Sequence, residues 1–142
     1  MAVWQFSFYL TENKDGVEPS VTSINHESLI RVAEILPVGE SWLKNLQIYG
    51  DIDSTCLVLS YENQELQEIS VRLDLRDLSK SVLTNVLSFI KSNKLRILLD
   101  NGENMEPTME TILRLIKNSD ALKFCAEPSA YLLNLKQTNA FD

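Results

Sequence analysis

Alternating apolar and polar residues mark out four segments of the chain. In residues 69–75 every second position is apolar, which is the period of a β-strand with one buried face. Three other segments show a similar period between turn-forming residues, so four strands are predicted, at residues 3–10, 55–61, 66–75 and 95–99. A short polar connection at residues 62–64 separates the second and third, which are therefore predicted to form an antiparallel hairpin.

Apolar residues at intervals of three and four predict helices between the strands. Asn25 is the predicted N-cap of the first helix, and Pro37 with Gly39 ends it. Asp77 is the predicted N-cap of the second helix, and Pro107 opens a third. Their apolar stripes are Leu29, Val32, Ala33 and Leu36; Leu78, Val82, Val86, Phe89 and Ile90; and Met109, Ile112, Leu113 and Ile116. Shorter helical pieces are predicted at residues 41–48, 119–124 and 128–135.

The order of these elements is β-α-β-β-α-β, followed by further helices. This order is typical of an α+β fold in which a mostly antiparallel sheet carries helices on one face, as in the ferredoxin-like motif. Neither an internal repeat nor a Gly/Ser-rich linker interrupts the chain, so residues 1–142 are predicted to form one domain. The first and third strands of that motif are central neighbours. This would place Gln5, Ser7 and Tyr9 beside a set of residues on the third strand, with Arg96 and Asp100 on the far strand; the set is Ser70, Arg72, Asp74 and Arg76.

The composition is typical of a folded domain without a membrane span. The chain is 44% hydrophobic and 23% charged, and its apolar runs fall far short of the roughly 20 residues that cross a bilayer. The N-terminal segment lacks the basic region and cleavage site of a signal peptide, so a mature cytoplasmic protein is expected. Cys56 and Cys125 are far apart, which favours two buried free thiols over a redox or zinc site.

Charge is distributed unevenly along the chain. The net charge of −7 disfavours nucleic-acid binding, which needs a basic stripe. Residues 1–68 contain eleven acids and three bases, whereas residues 69–142 contain nine acids and ten bases. Between residues 40 and 68, six acids accompany a single base, Lys44. These six acids are Glu40, Asp51, Asp53, Glu62, Glu65 and Glu68.

This acidic segment, residues 40–68, is the first candidate site. An acidic surface attracts basic proteins, and Trp42, Tyr49 and Tyr61 are candidate anchors for such a partner. Negative charge also keeps a small domain soluble, and each of these aromatic residues could equally belong to the core. Both interpretations remain open from the sequence.

Arginine residues on the third predicted strand form the second candidate site. Arg72, Asp74 and Arg76 alternate along one face, and Arg96 follows on the next strand. Because a guanidinium binds carboxylate or phosphate through two parallel hydrogen bonds, this face could bind an anion. Two other interpretations are a solvated face with cross-strand ion pairs, and a face buried beneath the C-terminal helices.

Other kinds of chemistry find little support in the sequence. His26 is the only histidine, and no G-x-S-x-G or catalytic cysteine motif accompanies it, so a catalytic role is not expected. The acidic turns at residues 51–53 and 100–106 lack the spacing of a calcium loop, so no metal site is predicted. The four glycines form no phosphate-binding loop, and no cofactor is expected.

Two segments carry a resemblance to other proteins: VRLDLRDLS at residues 71–79 and SDALKFCAEPSAYLL at residues 119–133. They resemble a broad set of small, acidic, uncharacterised bacterial α+β proteins, which includes immunity proteins that neutralise toxins. The resemblance implies a fold and assigns no functional residues. It is similarity in size and charge that links the chain to immunity proteins.

Two functions of different classes follow. The first is a non-enzymatic protein-binding module, such as an immunity-type inhibitor of a basic toxin, that uses the acidic segment. The second is a small-ligand or anion-binding domain, conceivably an enzyme, built on Arg72, Asp74, Arg76 and Arg96. The two functions differ in the charge of the binding surface, which is acidic for the first and carries the arginines for the second. The oligomeric state is left open.

Overall fold

In the computed structural model of the protein, the structure describes residues 2–21, 24, 27, 31–41 and 43–126. Six strands form one antiparallel sheet, and four helices accompany it within these residues. The strands are Gln5–Thr11 (β1), Leu46–Gly50 (β2), Cys56–Glu62 (β3), Glu65–Asp74 (β4), Arg96–Leu98 (β5) and Asn104–Met105 (β6). The helices are Val32–Ile35 (α1), Lys80–Ser92 (α2), Met109–Lys117 (α3) and Asp120–Ala126 (α4).

The spatial order of the strands is β2-β3-β4-β1-β5-β6. The central pair is β1 and β4, as predicted, and its register places Gln5 opposite Asp74 and Ser7 opposite Arg72. This register follows from the apolar residues of the two strands, because a slip of one position would turn every buried side chain to the other face.

One face of the sheet holds the main core. Its largest buried side chains on the strands are Phe8, Leu10, Leu57, Leu59, Ile69, Leu73 and Ile97. Residues of α1, α2 and α3 pack onto the same cluster, among them Val32, Ile90 and Ile112. The predicted α+β fold, with helices on one face of an antiparallel sheet, is therefore confirmed.

A second, smaller apolar cluster lies on the opposite face, at the β2–β3 side of the sheet. It consists of Ile48, Cys56 and Val58, with Leu46 and Ile52 partly buried against it. Strand β3 is therefore apolar on both faces near its start, which explains why residues 56–59 are all buried. Two-sided burial of this kind turns a strand into a continuous apolar run instead of an alternating one.

Helix α2 has the predicted apolar stripe but a different start. Val86, Phe89 and Ile90 are buried, and Leu83 and Leu87 extend the stripe. The prediction of Asp77 as its N-cap is wrong, because the Ser79 hydroxyl accepts the capping hydrogen bond from the Val82 amide, at 3.0 Å. Ser79 takes this role since the chain still turns away from β4 at Asp77, whose amide bonds to the Asp74 carbonyl oxygen.

The element order departs from the prediction at both edges of the sheet. A helical turn predicted at residues 41–48 is wrong for its second half, where strand β2 pairs with β3. The apolar spacing there arises because one face of the strand packs against the main core and the other face packs against the second cluster. A short strand, β6, follows the turn at residues 100–103. The ferredoxin-like order is therefore not confirmed.

Some predictions fall on residues outside the described ranges. These are the N-cap Asn25, the apolar residue Leu29, His26, the proposed anchor Trp42 and the helical piece at residues 128–135. The predicted helix at residues 119–124 is present as α4. Cys56 and Cys125 are both free thiols, but Cys125 is only half-buried, whereas Cys56 is fully buried.

Candidate functional site

Five of the six acids of the acidic segment lie at the two ends of the β3–β4 hairpin. Asp51 and Asp53 belong to the loop between β2 and β3, and Glu40 lines a groove with Asp51. Glu62 and Glu65 flank the tight turn at the far end, where they are paired across the hairpin. Because β3 has seven residues, the two ends are separated by about 20 Å. The sixth acid, Glu68, is half-buried on β4 opposite Ser60.

The loop at residues 51–55, here called the acidic loop, is held by side chains from other strands. Gln5 is buried, and its amide nitrogen donates to the Ile52 carbonyl oxygen, at 3.0 Å, and to that of Ser54. The Trp4 indole nitrogen donates to the Asp53 carbonyl oxygen, at 2.9 Å. Three successive carbonyl groups of the loop therefore accept hydrogen bonds from β1 or the residue before it, which fixes the path of the loop backbone.

Asp74 forms the second attachment of the acidic loop. Its carboxylate accepts a hydrogen bond from the Ser54 hydroxyl, at 3.2 Å, and its amide donates to the Thr55 hydroxyl, at 3.0 Å. Asp74 is 2% exposed and lies directly opposite Gln5 in the sheet. Two buried polar residues on neighbouring strands thus hold the same loop, and both find partners, as buried polar groups require.

Arg76 completes this arrangement. Its guanidinium donates to both carboxylate oxygens of Asp74, at 3.0 Å from Nε and 2.8 Å from Nη2, which is the bidentate geometry of a strong ion pair. The same guanidinium lies over the Trp4 ring, with Cζ 3.9 Å from the ring centroid. The hydrogen bonds from Arg76 hold the pKa of Asp74 below its usual value, against the effect of burial. Asp74 is therefore a carboxylate at neutral pH.

The structure separates the four residues of the predicted arginine site. Strand β4 ends at Asp74, so Arg76 lies beyond the strand and curls back onto Asp74 instead of continuing the polar face. Arg72 is opposite Ser7, whereas Arg96 is opposite Thr11 on the other side of β1, about 13 Å further along that strand. Two of the three arginines also have acidic partners, since Arg96 lies 3.8 Å from Glu106.

Two of the three proposed aromatic anchors, Tyr49 and Tyr61, lie within the described residues, and neither protrudes from the acidic segment. Tyr49 and Tyr61 are half-buried and pack against the main core. Burial, and to a lesser extent the neighbouring Tyr49, raises the pKa of Tyr61. Exposed apolar side chains occur nearby instead, since Val38 is 61% exposed and pairs with β2 opposite Tyr49.

A groove of about 360 Å³ lies beside the acidic loop, lined by Glu40, Gly50, Asp51 and Ile52. The segment before Glu40 is bonded to the edge of β2, with the Gly39 amide 2.8 Å from the Ile48 carbonyl oxygen. A β-carbon at Gly39 would overlap the Gly50 carbonyl oxygen, so glycine is required for this close approach. The groove is thus formed by two chain segments packed backbone to backbone.

The described residues show no cluster of three or more His, Cys, Asp or Glu side chains that could hold a metal ion. Burial raises the pKa of Cys56 to about 11, which keeps this thiol protonated at neutral pH. No helix within the described part of the chain is long and apolar enough to cross a membrane. The candidate functional site consists of the acidic loop, its attachments and the adjoining groove, because directed hydrogen bonds fix the loop beside this groove.

Comparisons with known proteins add no family. No protein-family model, no curated protein and no solved structure matches the chain. Sequence reasoning identified Asp51, Asp53, Asp74 and Arg76 as candidate residues, but it missed Trp4 and Gln5, which hold the loop. The sequence signal for Gln5 was its predicted place on the strand beside Arg72 and Asp74, and the structure puts it directly opposite Asp74.

Proposed function

We propose that the protein is a non-enzymatic protein-binding module that docks a positively charged partner at the acidic loop. The observation that carries this proposal is the fixing of three successive loop carbonyl groups by Gln5 and Trp4. A loop already held in one conformation loses little entropy when a partner binds it. Asp51 and Asp53, both exposed, are thus presented on a rigid support.

Apolar groups next to these acids support the same function. Val38 is largely exposed, Val3 is 41% exposed beside Trp4, and Ile52 lines the groove with Glu40. An interface that binds a protein combines an apolar centre with a charged rim. The acidic loop supplies the charges, and the neighbouring valines and isoleucine supply apolar surface.

The arginine residues have a supporting part in this proposal. Asp74 and Arg76 neutralise each other and bond to the acidic loop, so their contribution is to position Asp53 and Ser54. The partner class that we propose is a basic protein, and an immunity-type inhibitor of a basic toxin fits the small size and the charge of −7. Long-range attraction between such partners accelerates association at low salt.

Charge reversal at the two ends of the hairpin tests this proposal. The variant D51K/D53K should lose proteins that the wild type retains from a cell extract at low salt, and its association rate with the purified partner should fall at least tenfold. The matched variant E62K/E65K has the same net charge but changes the far end of the hairpin, so its association rate should fall less than threefold. Equal effects of the two variants, or no retained protein with the wild type, would refute docking at the acidic loop.

A further inference from the structure

Four basic side chains from separate parts of the sequence line one groove of about 350 Å³. Lys14 lies in the loop after β1, Lys91 and Lys94 lie at the end of α2, and Arg96 begins β5. Among the described residues, the lining contains one acid, Glu106, so the bases outnumber the acids four to one there. The protein has a net charge of −7, so this basic groove has the opposite sign to the molecule as a whole.

Directed contacts hold the basic groove together. Arg96 Nε donates to the Asn104 side-chain oxygen at 2.6 Å, and the Asn104 amide nitrogen donates to the carbonyl oxygens of Asn13, at 2.7 Å, and Gly16, at 3.2 Å. One side chain therefore fixes both the guanidinium and the loop that contains Lys14. The Arg96 side chain is only 20% exposed, so its direction is also limited by packing.

Lys94 adopts a left-handed backbone conformation that glycine usually occupies. Its φ is 56°, and the next amide, that of Leu95, bonds to the Ile90 carbonyl oxygen at 2.9 Å, as in the motif that ends many helices. A side chain costs roughly 1 kcal/mol in this left-handed conformation, which glycine adopts freely. The lysine is thus present at a site where it lowers the stability of the fold.

The dipole of α2 explains only part of this cluster. Cations at the C-terminal end of a helix are favourable, which accounts for Lys91 and Lys94 to some extent. It does not account for Lys14 and Arg96, which come from other elements and line the same groove. Attraction to a ligand that carries several negative charges explains all four.

We propose that the basic groove binds a small anion that bears phosphate groups, independently of the acidic loop. A lysine ammonium binds phosphate as a point charge, and Arg96, which is held by Asn104 and lies 3.8 Å from Glu106, adds a fixed positive charge to the groove. Several positive charges match a ligand with two or more phosphates better than a single carboxylate. Thr108, the N-cap of α3, also lines the groove, so the positive end of that helix dipole adds to the attraction.

A titration of the ¹⁵N-labelled full chain with inorganic pyrophosphate tests the proposal. We expect saturable shifts of the backbone amides of Lys94, Arg96 and Thr108, with unchanged amides in the acidic loop. Citrate, which carries three carboxylates, serves as the comparison anion and should bind at least fivefold more weakly. Absence of saturable shifts, or equal binding of citrate, would overturn a phosphate site.

Variants at α2 separate ligand binding from stability. Lys91→Gln should weaken pyrophosphate binding at least fivefold, whereas Lys80→Gln, at the other end of the same helix, should leave it within twofold. Lys94→Gly should raise the melting temperature and weaken binding at least fivefold, because it removes both the charge and the unfavourable conformation. Equal effects at positions 80 and 91, or full binding by the glycine variant, would contradict the assignment.

Discussion

The two acidic ends of the β3–β4 hairpin carry similar charge, but their backbone shapes are fixed in different ways. The turn between Glu62 and Glu65 consists of Asn63 and Gln64, with φ of 52° and 67°, and its shape is set by the two-residue hairpin itself. The acidic loop is set by contacts with residues about fifty positions earlier and twenty positions later in the sequence. Acidity alone therefore does not distinguish the two ends, whereas tertiary attachment does.

This difference determines what each end is suited to do. A short turn whose side chains point into solvent contributes charge and little surface. A loop that is bonded to a buried glutamine, a buried aspartate and an indole presents a defined shape beside a groove. For this reason we propose the acidic loop, and not the far turn, as the binding surface.

The largest effect that we expect comes from Asp74→Ala. It removes the acceptor of the Ser54 hydroxyl and of the guanidinium, and it should lower the free energy of unfolding by about 2 kcal/mol, measured by urea denaturation. Glu65→Ala at the far turn, an exposed position, should change it by less than about 0.5 kcal/mol. Similar losses in the two variants would remove the distinction between the ends.

Lowering the pH provides a second test of the comparison between the two ends of the hairpin. Because the pKa of Asp74 is lowered in the folded protein, its contribution to stability is complete above the unfolded value of about 3.9 and is lost as the pH falls towards the folded value. The difference in urea midpoint between the wild type and Asp74→Asn should therefore narrow below about pH 4. A difference that stays constant from pH 6 into this acid range would show that the carboxylate charge does not attach the loop.

The smallest effect concerns the far turn. Gln64 has a positive φ without the glycine that this turn type prefers, so Gln64→Gly should stabilise the protein by about 1 kcal/mol. Thermal and urea unfolding would measure the gain. Pyrophosphate binding and partner binding should both be unaffected. Lower stability would mean that the Gln64 side chain has a tertiary role that the hairpin geometry does not require.

The alternation of apolar and polar residues along the sequence predicted much of the sheet, because neighbouring strands share this amphipathic pattern. The alternation in β1 and β4 specified which residues of the central pair face the core, and the spacing in α2 specified its buried stripe. Strand β2 escaped prediction because Leu46 and Ile48 face the smaller cluster while Tyr49 faces the main core. Apolar residues on both faces remove the period of two on which the prediction depends.

The residues of the candidate site could be predicted only in part from the sequence, for a different reason. Asp74 and Arg76 stood out as charges in an alternating segment, but their pairing depends on β4 ending between them. Gln5 contacts a loop 47 residues away, and Lys14 and Lys91 line the same groove only because α2 packs on the sheet. Contacts of this kind have no local sequence period, so they emerge only from the fold.

The attachment of the acidic loop has a consequence for the evolution of specificity. Gln5 and Trp4 bind main-chain carbonyl oxygens, which every amino acid supplies, so they place no demand on the side chains of Ile52 and Asp53. Asp53, whose side chain is exposed, can therefore change identity while the loop keeps its path, whereas Ile52 also packs against the second apolar cluster. A family built on this arrangement could diversify its partners by substitution at Asp53 without remodelling its backbone.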